Sequence, residues 1–284
     1  MSWYDRLYRN VFKLLILLAV SGPALGDSGD YVVGLGADLD SAEGRAFSLF
    51  GDFGLTDQTW LSAIGAYTST DEALGFDATY ADLSIDHNFE PIGIRVGGAY
   101  WGDADLLDSV DLRAAVYFRN EHFSLSLDYE RRDFDFLFQS LLLDRERKVS
   151  FSANGAGLTS WFQLNKRTSF YVGGMDYDYS VDIQLQENID VLRFLSVSRL
   201  SLINSLVDYR INGGVNVNVG DSSLDFSISN WRTEVDQGQV TSYGIGFTTP
   251  LDRASDLELR VAYDDSENFG DTYVFSVYFY TFGS

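Results

Sequence analysis

The side chains able to do chemistry are few, and their spacing decides what they can do. There are two histidines, His87 and His122, and no cysteine, so a thiolate metal site, a disulfide framework and a Cys nucleophile are all excluded. His122 and Ser124 lie two residues apart and would share one face of a strand, the minimum for a base and a hydroxyl nucleophile. The plainer expectation is a turn histidine followed by a serine facing water. His87 sits in Asp86-His87-Asn88, where a second pair of acids is missing, and a solvated turn residue is expected. Asp176 and Asp178 share a strand face at a spacing that suits paired carboxylates, although hydrating a polar lumen is the simpler use. Neither a catalytic set nor a cofactor site is expected.

The elements that hold these residues follow from composition and pattern. The chain has 284 residues, 20 Lys+Arg against 42 Asp+Glu, and a formal net charge of −22, a field that repels nucleic acid. Acidity of this order can accompany disorder, but 45% hydrophobic and 15% aromatic residues with only 3 Pro provide enough apolar surface to order the chain. Residues 1–26 carry Arg6, Arg9 and Lys13, the apolar run Leu14 to Val20, then small residues through Ala24-Leu25-Gly26. That order predicts a cleaved secretory signal peptide, leaving residues 27–284 as one domain. Seven apolar residues are too few to cross a bilayer core, which needs about 20.

Beyond residue 27 the dominant signal is alternation with period two. Val110, Leu112, Ala114, Val116 and Phe118 oppose Asp111, Arg113, Ala115 and Tyr117, and Phe123, Leu125, Leu127 and Tyr129 oppose Ser124, Ser126, Asp128 and Glu130. A helix would scatter each set around its circumference. The same pattern recurs in about 14 segments, with 12 or 16 as alternatives, and short connections alternate with longer ones rich in Asp, Glu and Gly. One tight rim and one looped rim predict an all-β, antiparallel, up-and-down transmembrane β-barrel. A barrel of that size is too wide for one apolar face to fill, so the apolar face belongs to lipid and the polar face to a wet lumen.

On these grounds Arg95, Arg113, Asp128, Glu258 and Arg260 are expected to line the lumen as a selectivity region, with the acids facing the arginines. Trp60, Trp101, Trp161 and Trp231 fall at strand ends, where an interfacial girdle is expected. The sequence resembles the outer-membrane β-barrel proteins of Gram-negative bacteria over essentially all of residues 27–284, as a pattern and without a specific motif. The His-x-Ser pair is also similar to that of outer-membrane lipid A deacylases, but Leu125 stands where their motif has Asn. The family's closing strand ends in an aromatic residue, and here Phe282 precedes Gly283 and Ser284. The resemblance implies an outer-membrane location, lipid and lipopolysaccharide as surroundings, the barrel-assembly machinery as a partner, and a porin-like channel for small hydrophilic solutes. The alternative is a self-closed barrel that binds a partner or lipopolysaccharide.

Two stretches break the alternation. Glu187 to Ser201 and Phe134 to Leu143 are apolar without a clean period, and could fold into the lumen, cap the mouth or extend strands beyond the membrane. The acids Asp38, Asp40 and Glu43, then Asp71, Glu72 and Asp77, then Asp103, Asp105 and Asp108, then Asp264, Asp265, Glu267 and Asp271 predict a negative vestibule that gathers cations or holds divalent ions.

Overall fold

The structure, a computed structural model, describes residues 29–70, 77–103, 107–140, 145–181, 206–235, 237–268 and 270–283. The N-terminal stretch expected to be a signal peptide and the segment Glu187 to Ser201 lie outside the described residues. Fourteen strands follow in chain order: β1 Tyr31–Asp40, β2 Gly44–Thr56, β3 Thr59–Thr70, β4 Asp77–Asn88, β5 Ile92–Asp103, β6 Leu107–Arg119, β7 Phe123–Ser140, β8 Arg145–Asn165, β9 Thr168–Tyr179, β10 Val207–Val219, β11 Ser222–Thr233, β12 Gln239–Pro250, β13 Ser255–Ser266 and β14 Thr272–Gly283. Each pairs antiparallel with its neighbours in sequence, and β1 pairs with β14 from Tyr31↔Gly283 to Asp40↔Val274, closing the barrel. The start of β1 at Tyr31 and the end of β14 at Gly283 both lie at the rim of short turns, as an even strand number requires. The opposite rim carries the loops. Most of these loops are shorter than expected because the strands run further, and only the connection from β9 to β10 is long.

The outer wall is apolar because every second residue is. Val110, Leu112, Val116 and Phe118 are exposed on β6, while Asp111, Ala115 and Tyr117 beside them are buried inside. From Val110 to Phe118 the strand rises ~26 Å at ~3.3 Å per residue. At a tilt of ~40° that is ~20 Å along the barrel axis, comparable with an apolar band of ~25 Å. Aromatic rings bound this band. Near the short turns Phe118, Phe123 and Phe162 follow one another at 6.4 and 4.8 Å between ring centroids. Near the loops Tyr243, Tyr263 and Tyr273 stand in register and follow at 6.4 and 5.2 Å. The outward girdle is thus made of Phe and Tyr.

The four tryptophans occupy strand ends but do not form the expected lipid-facing girdle. Trp101 and Trp231 are 6% and 7% exposed, inside the barrel. Trp60 pairs with Asp86 and Trp161 with Ser124, and directly opposed residues share a face, which is the inner one here. Parity alone forces this placement: Trp161 alternates with the exposed Leu158, Phe162 and Leu164.

The lumen stays hollow because its large rings lie against the wall. Phe50, Tyr117, Tyr171, Tyr177 and Tyr278 each stand in register opposite a glycine, at Gly34, Gly93, Gly214, Gly155 and Gly36 respectively. A Cβ at Gly93 would sit 2.1 Å from the Tyr117 ring, and one at Gly155 would sit 2.7 Å from the Tyr177 ring. The missing side chain is the space the ring fills. At the short-turn rim Asp252 accepts from the Ala254 amide at 2.8 Å, and this bond with those of Ser255 holds its carboxyl below the usual range. The Tyr117 hydroxyl donates to Asp86, so Gly93→Ala should push Tyr117 off the wall and break that bond, costing about 1–3 kcal/mol. In a double-mutant cycle scored by urea unfolding, the cost should largely vanish in a Tyr117→Ser background.

Candidate pore lining

The inner face is built from rows of residues that run across the strands in direct register. One row runs Asp86, Arg95, Ala115, Asp128, Gly157, Met175, Arg210 and Trp231 from β4 to β11. Strand tilt makes such a row climb around the barrel from the turn rim towards the loop rim. Arg95, Arg113, Asp128, Glu258 and Arg260 all stand on the inner face, on β5, β6, β7 and β13.

Their partners differ from those expected. Arg95 pairs with Asp86 at 3.0 Å, Arg113 with Asp82, and Arg260 with Asp225 at 2.8 Å. Asp128 instead accepts from the hydroxyls of Ser126 at 2.8 Å and Thr159 at 3.2 Å, and Glu258 accepts from Tyr280. The reason is register. Arg260 and Asp225 flank Gly246 on the intervening strand, and Arg113 passes over Gly97 to reach β4, so a glycine gap selects these two partners, whereas Arg95 and Asp86 are direct cross-strand neighbours. The acids Asp82 and Asp86, together with Arg132, were not among the expected lining residues, although strand parity alone would have added them. Asp52, bonded by Ser62, and Asp38, bonded by Tyr278 at 2.7 Å, complete an inner face where carboxylates outnumber arginines.

A cavity of about 470 Å³ lies in the lumen against this lining, touching Asp52, Asp82, Arg95, Arg113, Asp128, Glu130, Arg210 and Asn212. Towards the loops the inner wall of β5 to β9 turns apolar. Trp101, Leu107, Phe134, Phe151 and Tyr177 are buried there with Leu206 and Val235 from the loop bases, and Phe134 stacks on Phe151 at 4.8 Å. Arg132 is enclosed by this cluster, 5.0 Å from the Phe134 centroid and 5.3 Å from Trp101, while its guanidinium meets Asp111 at 3.4 Å. Arg132 and Asp111 stand in direct register, with Ala99 and Ala153 on either side leaving room.

This inward aromatic face realises one of the alternatives for Phe134 to Leu143, strand extension, and corrects the expected lumen placement of Asp176 and Asp178. Phe134 to Ser140 continues β7 beyond the membrane, with Phe134 inside and the Arg131–Asp133 pair outside. Asp176 and Asp178 likewise face outward and are exposed, while Met175, Tyr177 and Tyr179 face in. Above the bilayer the outer surface meets water instead of lipid, so the polar parity inverts.

His122 and Ser124 form no reactive pair: the His122 amide donates to Asn120 in a tight turn at 2.9 Å, and Ser124 faces the lumen. His87 lies outside the wall, bonded to Thr59 at 2.8 Å and edge-on to Phe89, with Asp86 on the opposite face. Of the vestibule acids, Asp40 accepts from the amides of Ala42 and Gly44, and Asp271 accepts from Tyr263. Asp71, Glu72 and Asp105 lie outside the described residues. Among the described residues no three acids or histidines converge to hold a metal ion.

The fold is therefore that of the outer-membrane β-barrels of bacteria, with a polar, charge-lined lumen. No family model matches the sequence, and no curated protein matches it. Among solved structures the chain is similar to the CymD monoaromatic hydrocarbon channel, with TM-score 0.57 and 10% identity over 88% of each chain. It is similar also to the Acinetobacter baumannii outer membrane protein Omp33, with TM-score 0.53 and 8% identity over 89% of this chain and 97% of that one. A loop-deletion mutant of OmpT from Vibrio cholerae gives TM-score 0.50 and 7% identity over 89% and 98%.

Removing one partner of the enclosed Arg132–Asp111 pair strands a charge, so Arg132→Met should lower stability by about 3–5 kcal/mol. Arg95 is half exposed, and Arg95→Gln should cost under about 1 kcal/mol. Denaturant midpoints of the two folded variants check the contrast.

Proposed function

We propose that the protein is an outer-membrane channel through which small hydrophilic solutes diffuse passively, with cations favoured over anions. The observation that carries this reading is the charged cavity inside a closed barrel whose outer wall is apolar. Rings laid flat over glycines leave the lumen to water, and fixed charges on its wall set the field a solute meets. Carboxylates exceed guanidiniums on that wall, which favours cations. CymD, which shares the fold, is a monoaromatic hydrocarbon channel, but that cargo does not suit this cavity, because burying charge against a hydrocarbon is costly. The loop rim faces the cell exterior in this reading, and lipopolysaccharide surrounds the tyrosine girdle.

A second reading, a self-closed barrel acting through its loops, draws on the apolar cluster that fills one side of the loop-rim mouth. Planar-bilayer recording separates the two. Wild type should give single-channel currents with cation preference, and Arg95→Gln, which leaves Asp86 uncompensated, should raise the cation-over-anion permeability ratio. Correctly folded protein with no current above the bare bilayer would leave the closed barrel as the better reading.

A further inference from the structure

Ion pairing leaves a particular set of charges unused. Arg113, Arg132 and Arg260 each meet a carboxylate within 4.0 Å. Arg210 lines the cavity with its side chain exposed and, among the described residues, has no ion-pair partner. Asp128 lines the same cavity, and its partners are the hydroxyls of Ser126 and Thr159, which orient the carboxylate without neutralising it. The two residues belong to one inner row, Asp128↔Gly157, Gly157↔Met175 and Met175↔Arg210.

That row fixes their separation. Three strand spacings of ~4.8 Å put the two Cα atoms ~14 Å apart along the wall, and both side chains line the one cavity. The floor of the gap is low and apolar. Gly157 has no side chain, and Met175 lies over it, its methyl carbon 3.0 Å from where a Gly157 Cβ would be. Met175 presents a soft, adaptable apolar surface there. Thr159, Gly173 and Asn212 form the adjoining row, again with glycine in the middle, and add polar groups along one side.

We propose that this slot between β7 and β10 binds small zwitterions of the amino-acid class, with the ammonium on Asp128 and the carboxylate on Arg210. An ammonium and a carboxylate on one carbon, each held by a hydrogen bond of ~2.9 Å, span ~8–9 Å, a length that fits within the ~14 Å between the two Cα atoms. Guanidinium recognises carboxylate bidentately, and the orienting hydroxyls present the Asp128 oxygens to an ammonium. A solute with one charge satisfies one end and leaves the other charge as it was, so the gain requires both groups. The climb of the row places Arg210 nearer the loop rim, and a bound zwitterion therefore points its carboxylate towards the outer mouth.

The inference rests on the channel reading for access to the lumen, so its test is kept separate from conduction. Isothermal titration calorimetry on full-length, detergent-folded protein would use L-alanine, and propionate and ethylamine as its one-charge counterparts. L-Alanine should bind saturably, and the counterparts at least tenfold more weakly. Asp128→Asn and Arg210→Gln should each weaken L-alanine about tenfold or more, with folding verified by circular dichroism and heat-shifted gel mobility. Equal affinity for all three probes, L-alanine affinity unchanged in both variants, or absence of saturable binding to folded wild type would overturn the site. Binding without bilayer current would keep the site and reject the channel, and current without binding would do the reverse.

Discussion

A peptide group in hydrocarbon has no water to bond, so a chain crossing lipid as strands must leave no strand edge unpaired. The ten-residue seam between β1 and β14 meets that demand, and every other feature inherits its geometry. Closure obliges the strands to tilt, tilt makes cross-strand rows climb, and the rows decide which side chains meet. Val110 to Phe118 then has its apolar half outside and Asp111 to Tyr117 inside, because alternation on a closed sheet permits only those two surfaces.

Keeping the interior hollow is the second problem, since a lumen rich in Tyr, Phe and Trp could collapse on itself. Glycine placement is the solution. Tyr117 over Gly93 and Tyr177 over Gly155 turn rings that would point at the axis into wall cladding, and the Tyr177 hydroxyl still reaches Glu130 at 2.6 Å. Glycines at Gly97 and Gly246 do the same for ion pairs by letting arginines cross a strand. Arg132 is the exception, because its neighbours are aromatic and it is sealed with Asp111 at the loop end of the apolar band. The half-exposed Arg95 and Arg113 lower down stay open to the lumen cavity.

The strands and the sense of the wall were legible in the sequence, because period-two alternation is a property of each strand by itself. Arg95, Arg113, Asp128, Glu258 and Arg260 reached the lumen for that reason. The partners of the arginines were not legible, since Asp225 meets Arg260 only through the β11–β12–β13 register. Alternation also misled where the environment changed along a strand. Asp176 and Asp178 lie outside because β9 leaves the bilayer there, and Phe134 lies inside for the same reason. The tryptophans misled differently: their position at strand ends was right, and parity, which placed them inside, carried the decisive information.

The wall of β6 turns its odd residues to water in the lumen and its even residues to lipid. The chain has no cysteine, so single-cysteine variants at positions 110 to 118 each carry one unambiguous label. Nitroxide labels in lipid-reconstituted protein report accessibility to a water-soluble nickel chelate and to membrane-dissolved oxygen. Oxygen accessibility should peak at 110, 112, 116 and 118 and chelate accessibility at 111, 113, 115 and 117, with a strict two-residue period. The opposite phase, or the absence of a period, would contradict the barrel wall as described.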